Sequence, residues 1–467
     1  MKKYIAILFA CVSFCACEDF LTQENPNKIE SEYYFKDESS LEIYANGLTR
    51  SFATGIKNFV NGDKNADTHA WDGAAAYFKD NYSASDASNW GTSNWSQLRS
   101  INYYLDNMRN AVASDAILDH YEGVGRFFRA LFYIDKVQTF GAVPWYDFTI
   151  AASDKEAMMK PRDSREYVMD KVLEDLTFAS TYCLSDAKFT KGSALINKWV
   201  ALAFKSRVCL FEAAYRRYHN LTGLEITPEE LYREAAKAAK LVIDNSGCSL
   251  NTAAGKKGAY RDLFYSETPL TQEVILAVCA NEKSGIFGEQ NWWFNARSYG
   301  LCWSLVRSFV HTYLKQDGTP FTAAADYAVK SFAEEMEGRD LRLEQTVRGR
   351  NFLWDGKTAV ADIKNLSLTG YQVIKYTLDE SKYDGGAKNI NSIPLIRYAE
   401  VLLNYAEAQA ELGVITDSEW ALTVGALRKR AGITGGTETL PTTVDSYLQR
   451  TFYPDVTSPV LLEIRRE

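Results

Sequence analysis

Between residues 97 and 245, apolar side chains recur at spacings of three and four, five times in succession. Leu98, Ile101, Leu105 and Met108 make such a stripe over Gln97–Val112. Val124, Phe127, Phe128, Leu131, Ile134 and Val137 make another over Glu122–Phe140, which stops at Gly141 with Pro144 just beyond. Val168, Val172, Leu176 and Ala179 mark Ser164–Leu184, and Ser193–Tyr218 and Pro228–Ile243 complete the set. A period near 3.6 predicts amphipathic helices. Thr227-Pro-Glu-Glu supplies a capping side chain and a proline at the first helical position of the last one. Ala130, Ala203 and Ala236 are small residues where paired helices can cross. The pattern predicts a mostly α fold of tetratricopeptide-like helical pairs in a superhelical scaffold, without the strict 34-residue signature.

From residue 246 to 392 the period is lost. Gly, Asn, Ser and Thr become frequent and apolar runs shrink to Val274–Val278 and Tyr371–Ile374, the signature of a long loop-rich insertion with short strands. Loops this long inside a compact chain are usually functional. Helical spacing returns at Ile393–Gly413, with Pro394 near its start, and again at Asp417–Ala431. The expected division is a leader at 1–16, a helical part at 17–245, a loop-rich ligand-side part at 246–392 and a second helical part at 393–467.

The first residues change the picture. Lys2 and Lys3 precede an apolar stretch, Tyr4–Phe14, and then Ala16-Cys17. This is a secretory leader, too short to span a bilayer as a mature helix. Cysteine directly after a small residue resembles the lipobox of bacterial lipoproteins, in which the leader is removed and the thiol acylated. Cys11 is a second candidate, but it leaves an apolar core of only seven residues, which favours Cys17. At ~0.8 kcal/mol per buried methylene, several acyl chains would tether the protein durably. Losing Lys2 and Lys3 with the leader takes the net charge from −8 to −10. An acidic body argues against nucleic-acid binding, which needs clustered Lys and Arg. Five cysteines remain after Cys17 (Cys183, Cys209, Cys248, Cys279 and Cys302), an odd number with no CxxC pair, expected to be small core residues.

Five ordered segments resemble the SusD/RagB family of outer-membrane nutrient-binding lipoproteins. They are Cys17–Leu21, Trp95–Met108, Gly125–Trp145, Asn197–Phe211, and Ile393–Gly413 followed by Leu427–Gly432. The resemblance implies a helical receptor that presents nutrient, most often glycan, to a SusC-like TonB-dependent transporter. Glu18 and Asp19, just after the lipidated cysteine, resemble the signal that sends such lipoproteins to the cell surface. Family members continue past an Ile-Arg-Arg-Glu segment, so a sequence ending at Ile464–Glu467 is expected to lack some tens of residues.

Most motif residues read as architectural. Arg397 and Glu400, three apart, are expected to pair on one helix; Arg126, Arg129, Arg428 and Arg430 are expected to be structural, and Trp95 core. Ligand must be met by aromatic residues on loops, because sugar C–H faces lie against flat rings while hydroxyls bond short polar side chains. Two segments hold that mixture. One is Asp67–Trp90, with Trp71, Tyr77, Tyr82 and Trp90; the other is Gly288–Trp303, with Trp292, Trp293, Arg297 and Tyr299. In the resembling family the ligand face comes from roughly these two regions. The competing reading is that these rings fill the core. Trp292 and Trp293 are expected to be separable from the fold's stability.

No catalytic or metal signature accompanies them. His69, His120, His219 and His311 are scattered, no HExxH or GxSxG occurs, and Gly123-Val-Gly125 lacks the third glycine of a nucleotide loop. No cofactor and no enzyme activity are expected. Abundant carboxylates leave open a lipid-anchored glycoside hydrolase, and the helical pairs leave open a pure protein-interaction scaffold.

Overall fold

In the computed structural model, residues 34–49, 66–70, 83, 90–295, 302–362 and 365–467 are described. The leader, Cys17, and the candidates Trp71, Tyr77, Tyr82, Arg297 and Tyr299 lie outside them.

The expected helices are present, with caps that explain their bounds. After α1 (Glu38–Leu48), α2 covers Ser96–Asn107, and α3 covers Asp115–Phe140 and ends at Gly141 with φ +70°. Helix α4 (Arg165–Tyr182) is capped by Ser164, and α5 (Lys198–Tyr218) by Asn197, whose side chain accepts from two backbone N–H groups. Helix α6 (Pro228–Asn245) carries a full capping box between Thr227 and Glu230, so two orphan donors are satisfied reciprocally. Helices α3 and α4 pair, α5 and α6 pair, and α4 packs on α5, joining the two hairpins into one superhelical stack. Ala130, Ala203 and Ala236, the small residues expected between helices, are all buried.

The segment expected to be helical from Ile393 is a strand first. In chain order the strands are β1 (His69–Ala70), β2 (Val274–Val278), β3 (Ser304–Leu305), the hairpin β4 (Leu353–Trp354) and β5 (Lys357–Thr358), and β6 (Ile393–Arg397). β6 pairs antiparallel with β2, Pro394 opposite Ala277, and helix begins only at Tyr398. A two-stranded ribbon has only edge strands, so proline's missing N–H is tolerated there. The helix Tyr398–Glu411 then packs on α6 and, past Gly413, on Asp417–Arg430, forming a third pair. Within that second helix Ala421–Gly425 form a π-turn, and a Cβ on Gly425 would lie 2.0 Å from the Thr437 carbonyl.

Arg397 and Glu400 consequently do not pair with each other. Arg397 and Arg430 both bind the fully buried Glu273, at 2.9 and 2.7 Å, while Glu400 pairs with Arg207 on α5. Tyr371–Ile374, expected as a strand, makes only two single-residue bridges, Ser304–Gln372 and Val347–Val373. Gly370 (φ +89°) turns the chain just before it, and Thr377 N–H closes a turn onto the Ile374 carbonyl just after. Among the five later cysteines, all free, Cys183 and Cys209 are buried, while Cys248, Cys279 and Cys302 are partly exposed. Among the described residues no helix is long and apolar enough to cross a membrane.

Candidate functional site

The two aromatic-rich segments meet at one ladder. β1 pairs antiparallel with β3, His69 opposite Leu305 and Ala70 opposite Ser304, and Val306 N–H donates to the Thr68 carbonyl at 3.0 Å. The His69 ring stacks on Trp303 at 4.7 Å and 27°. Burial, with Lys375 nearby, pushes the His69 imidazole down to about 4, so the ring is neutral at pH 7. Trp303 is 2% exposed and belongs to a second apolar cluster with Phe294, Tyr371 and Val373. It is core, and offers sugar no face.

Trp292 and Trp293 lie on a single short helical turn, Gln290–Asn295, and both are half-buried. That turn is held by buried amides as well as by Phe294, which is buried in the second apolar cluster. Asn291 accepts from Leu378 N–H and donates to the Leu378 carbonyl, both at 2.8 Å. Asn389 donates to the Asn291 side chain at 2.7 Å and accepts from Asn291 N–H at 2.8 Å. Asn391 accepts from Asn389 at 3.0 Å and donates to the carbonyls of Phe264 and Tyr376, while Gln290 donates to the Asn391 carbonyl at 2.9 Å. Each of these four side chains is at most 1% exposed. Apart from the Gln290 Oε1, which is buried without a hydrogen-bond partner, these amides are bonded well enough to fix a loop as a core would.

The two indoles differ. Trp293 N–H donates to Glu289 at 3.0 Å, and its ring packs against the second apolar cluster. Trp292 has its six-membered ring beside Gly386, where an added Cβ would sit 3.6 Å away and φ is +64°. Asp384, two residues earlier, accepts from Asn291 at 3.1 Å and Asn295 at 3.2 Å, and burial raises its carboxyl pKa. The Trp292 ring is a flat face of the kind a sugar's C–H groups need, while the amides of this turn are buried and bonded within the protein.

Trp90 is 36% exposed and opens on a different hollow, about 800 Å³, with Trp95, Asn102, Tyr146, Phe148 and Met158. None of the described residues of 288–303 lines that hollow. Its edges meet Trp95 at 5.3 Å and Phe140 at 4.8 Å, and the Arg162 guanidinium lies over the ring at 4.6 Å. Trp95 packs against the main core, as expected. The structure thus joins the two segments at His69 and Trp303, beside the β1–β3 ladder, but separates Trp90 from Trp292 and Trp293.

Behind the ladder is a cavity of about 310 Å³ lined by His69, Trp303, Tyr260, Lys375, Arg397 and Arg342, among others. Burial opposes ionisation of Tyr260, but Lys375, Arg397 and Arg342 outweigh it and bring the phenol down to about 8. The arginines are already spent: Arg342 on Asp340 and Glu467, each at 2.6 Å, and Arg397 on Glu273. This cavity reads as an internal ion-pair network. Sequence reasoning missed the Asn389–Asn391 clamp, whose only signal was polar residues directly before an apolar strand. Among the described residues, no cluster of three His, Cys, Asp or Glu could hold a metal ion.

Two family profiles match the chain: the SusD family over residues 272–467, and a family described as starch-binding and associating with the outer membrane over residues 19–210. SusD-like protein P2 of Formosa agariphila is 25% identical, the match covering 93% of this chain and 83% of that protein. A SusD-like carbohydrate-binding protein from Bacteroides fragilis shares the fold with a TM-score of 0.70 at 20% identity, over 93% of this chain and 84% of that one. A SusD homologue from Bacteroides thetaiotaomicron gives 0.61 at 17%, over 95% and 87%.

Proposed function

The chain belongs to the SusD/RagB family, and from that premise we propose that it binds oligosaccharide where the segments 67–90 and 288–303 meet, and passes it to a SusC-like TonB-dependent transporter. The observation that carries this reading is the clamp of Asn291, Asn389 and Asn391, which holds the turn that bears the half-buried Trp292. Trp71, Tyr77, Arg297 and Tyr299 complete the proposed ligand face from the same two segments, while Trp90 serves a separate hollow. In this reading the helical parts, 17–245 and 393–467, are scaffold apart from the segment 67–90, which shares the ligand with 246–392. Acylated Cys17 tethers the protein to the outer membrane, facing outward.

The role is binding without turnover. Two or three ring contacts at ~0.5–1.5 kcal/mol each and a few hydrogen bonds at ~1 kcal/mol each give dissociation constants between roughly millimolar and micromolar. A receptor that must release its cargo gains nothing from tighter holding. Calorimetric titration with a panel of oligosaccharides, followed by chromatography of the mixture, tests the reading. Saturable binding with the sugar recovered intact is expected. Shortened products would make the protein a hydrolase, and no binding across the panel would make it a scaffold.

A further inference from the structure

A second surface is independent of the sugar loops. Between α4 and α6, a trough of about 840 Å³ runs over α5. Its floor is apolar, with Trp199 and Leu202 from α5 and Leu231 and Leu241 from α6; Leu241 is 41% exposed. Its charged groups are unbalanced. Lys198, Lys205 and Lys237 line it against one carboxylate, Glu234, which holds Lys205 at 2.8 Å and Lys237 at 3.6 Å. That leaves an excess of two positive charges, in a chain whose net charge is −8.

The hydroxyls in this trough are already engaged. Thr177 donates to the Leu173 carbonyl, and Ser180 and Thr181 donate to the Thr177 carbonyl, all within α4. The Asn245 amide donates to the Leu241 carbonyl. A sugar would therefore meet mostly aliphatic groups and hydroxyls with no proton left to donate, beside the half-buried Trp199. From Leu231 to Asn245 the helix rises ~21 Å, the length of about six residues of extended chain. Stacked helical hairpins offer such troughs to extended segments. We infer that the α4–α6 trough docks an extended polypeptide segment of a partner protein, in which Asp or Glu residues alternate with aliphatic ones. The carboxylates of that segment sit over Lys198 and Lys237, and its apolar side chains lie on Trp199 and Leu241.

Two fluorescent eight-residue peptides test this by anisotropy: one alternating Leu with Asp or Glu, the other with Lys at each acidic position. The acidic peptide is expected to bind the full chain saturably and the lysine peptide not. Lys198→Glu with Lys237→Glu should weaken the acidic peptide about tenfold or more and confer binding on the lysine peptide. That gain cannot come from misfolding. Failure of the acidic peptide to bind, equal binding of both peptides, or indifference to the double reversal would overturn the inference. So would displacement by an oligosaccharide that binds the protein.

Discussion

The paired helices and the loop-rich stretch from 246 to 392 both bury polar side chains, but for opposite reasons. In the helices the backbone satisfies itself, so buried polar side chains are free to pair with one another between helices. Arg129 binds Asp175 from α3 to α4, Arg165 binds Glu212 from α4 to α5, and Arg216 binds both Glu212 and Asp170. In the loop-rich stretch the backbone has no ladder of its own. Asn291, Asn389 and Asn391 therefore give their amides to it or to one another. Every buried backbone group needs a partner, and where secondary structure does not supply one a side chain must. The lesson is that the same buried amide or charge has a different job in each region, and removing it should fail in a different way.

The largest effect is expected in the helices. Glu212 is fully buried between Arg165 and Arg216. Glu212→Ala leaves two guanidinium groups without that partner in the core, at a cost of ~3–5 kcal/mol. Urea unfolding at pH 7 measures it; a loss below ~1 kcal/mol would mean that the cluster tolerates rearrangement.

Next comes a pH effect confined to the same region. His120 is 1% exposed, and its Nδ1 accepts from Leu184 N–H at 3.1 Å, which fits a neutral ring. Burial pushes its pKa down from 6.5 to about 4. A lowered histidine costs nothing above the unfolded value. As pH falls from 6.5 towards 4, the unfolded chain takes up a proton that the folded ring refuses, so stability drops, by roughly 3 kcal/mol at the lower end. His120→Asn keeps an acceptor and removes the titration. The variant's unfolding free energy should fall less than the parent's across this window, and identical slopes would assign the acid loss to carboxylates alone.

These differences also explain what could be read from the chain. The helical pairs were legible because Leu98, Val124, Val168 and their neighbours repeat at the helical period, and because Thr227 is a cap by chemistry alone; the Asn197 cap was not, and it starts its helix at Lys198 rather than Ser193. The strand at Ile393–Arg397 was not, since five residues leading into a helix share its apolar period until a partner, Val274–Val278, draws them out. The segments carrying the candidate site were legible as mixtures of aromatic and short polar residues. Their support was not, because hydrogen bonds from Asn291 to Leu378 and Asn389 span roughly ninety residues and follow no period. The division of labour between Trp292 and Trp293 was equally hidden: adjacent identical residues point different ways, and only the positions of Glu289 and Gly386 distinguish them.

A smaller stability loss, with a functional consequence, should follow from breaking the clamp. Asn291→Ala removes the paired bonds to Leu378 and orphans a side-chain donor on Asn389, about 2 kcal/mol by the cost of unsatisfied buried groups. Because the same amide positions the turn that carries Trp292, sugar affinity should fall as well. Thermal unfolding and calorimetry on one preparation would show both; a destabilised protein with parental affinity would uncouple the clamp from the site.

The smallest effect on stability, and the sharpest on binding, is expected where the two indoles part. Trp293 is tied to Glu289 and packed on the second apolar cluster, so Trp293→Ala should lower the melting temperature, by the loss of roughly 1–2 kcal/mol of packing and a hydrogen bond. Trp292 lies against a glycine at a loop edge, and Trp292→Ala should cost less than ~1 kcal/mol. Its sugar affinity should nevertheless fall about tenfold, since one ring platform is worth ~0.5–1.5 kcal/mol beyond burial and each 1.4 kcal/mol is a factor of ten. Trp292→Phe should recover most of that affinity, because a benzene ring still presents a flat face. If instead Trp292→Ala unfolds the protein and Trp293→Ala spares it, the indoles have been assigned the wrong way round, and the sugar would have to meet Trp293.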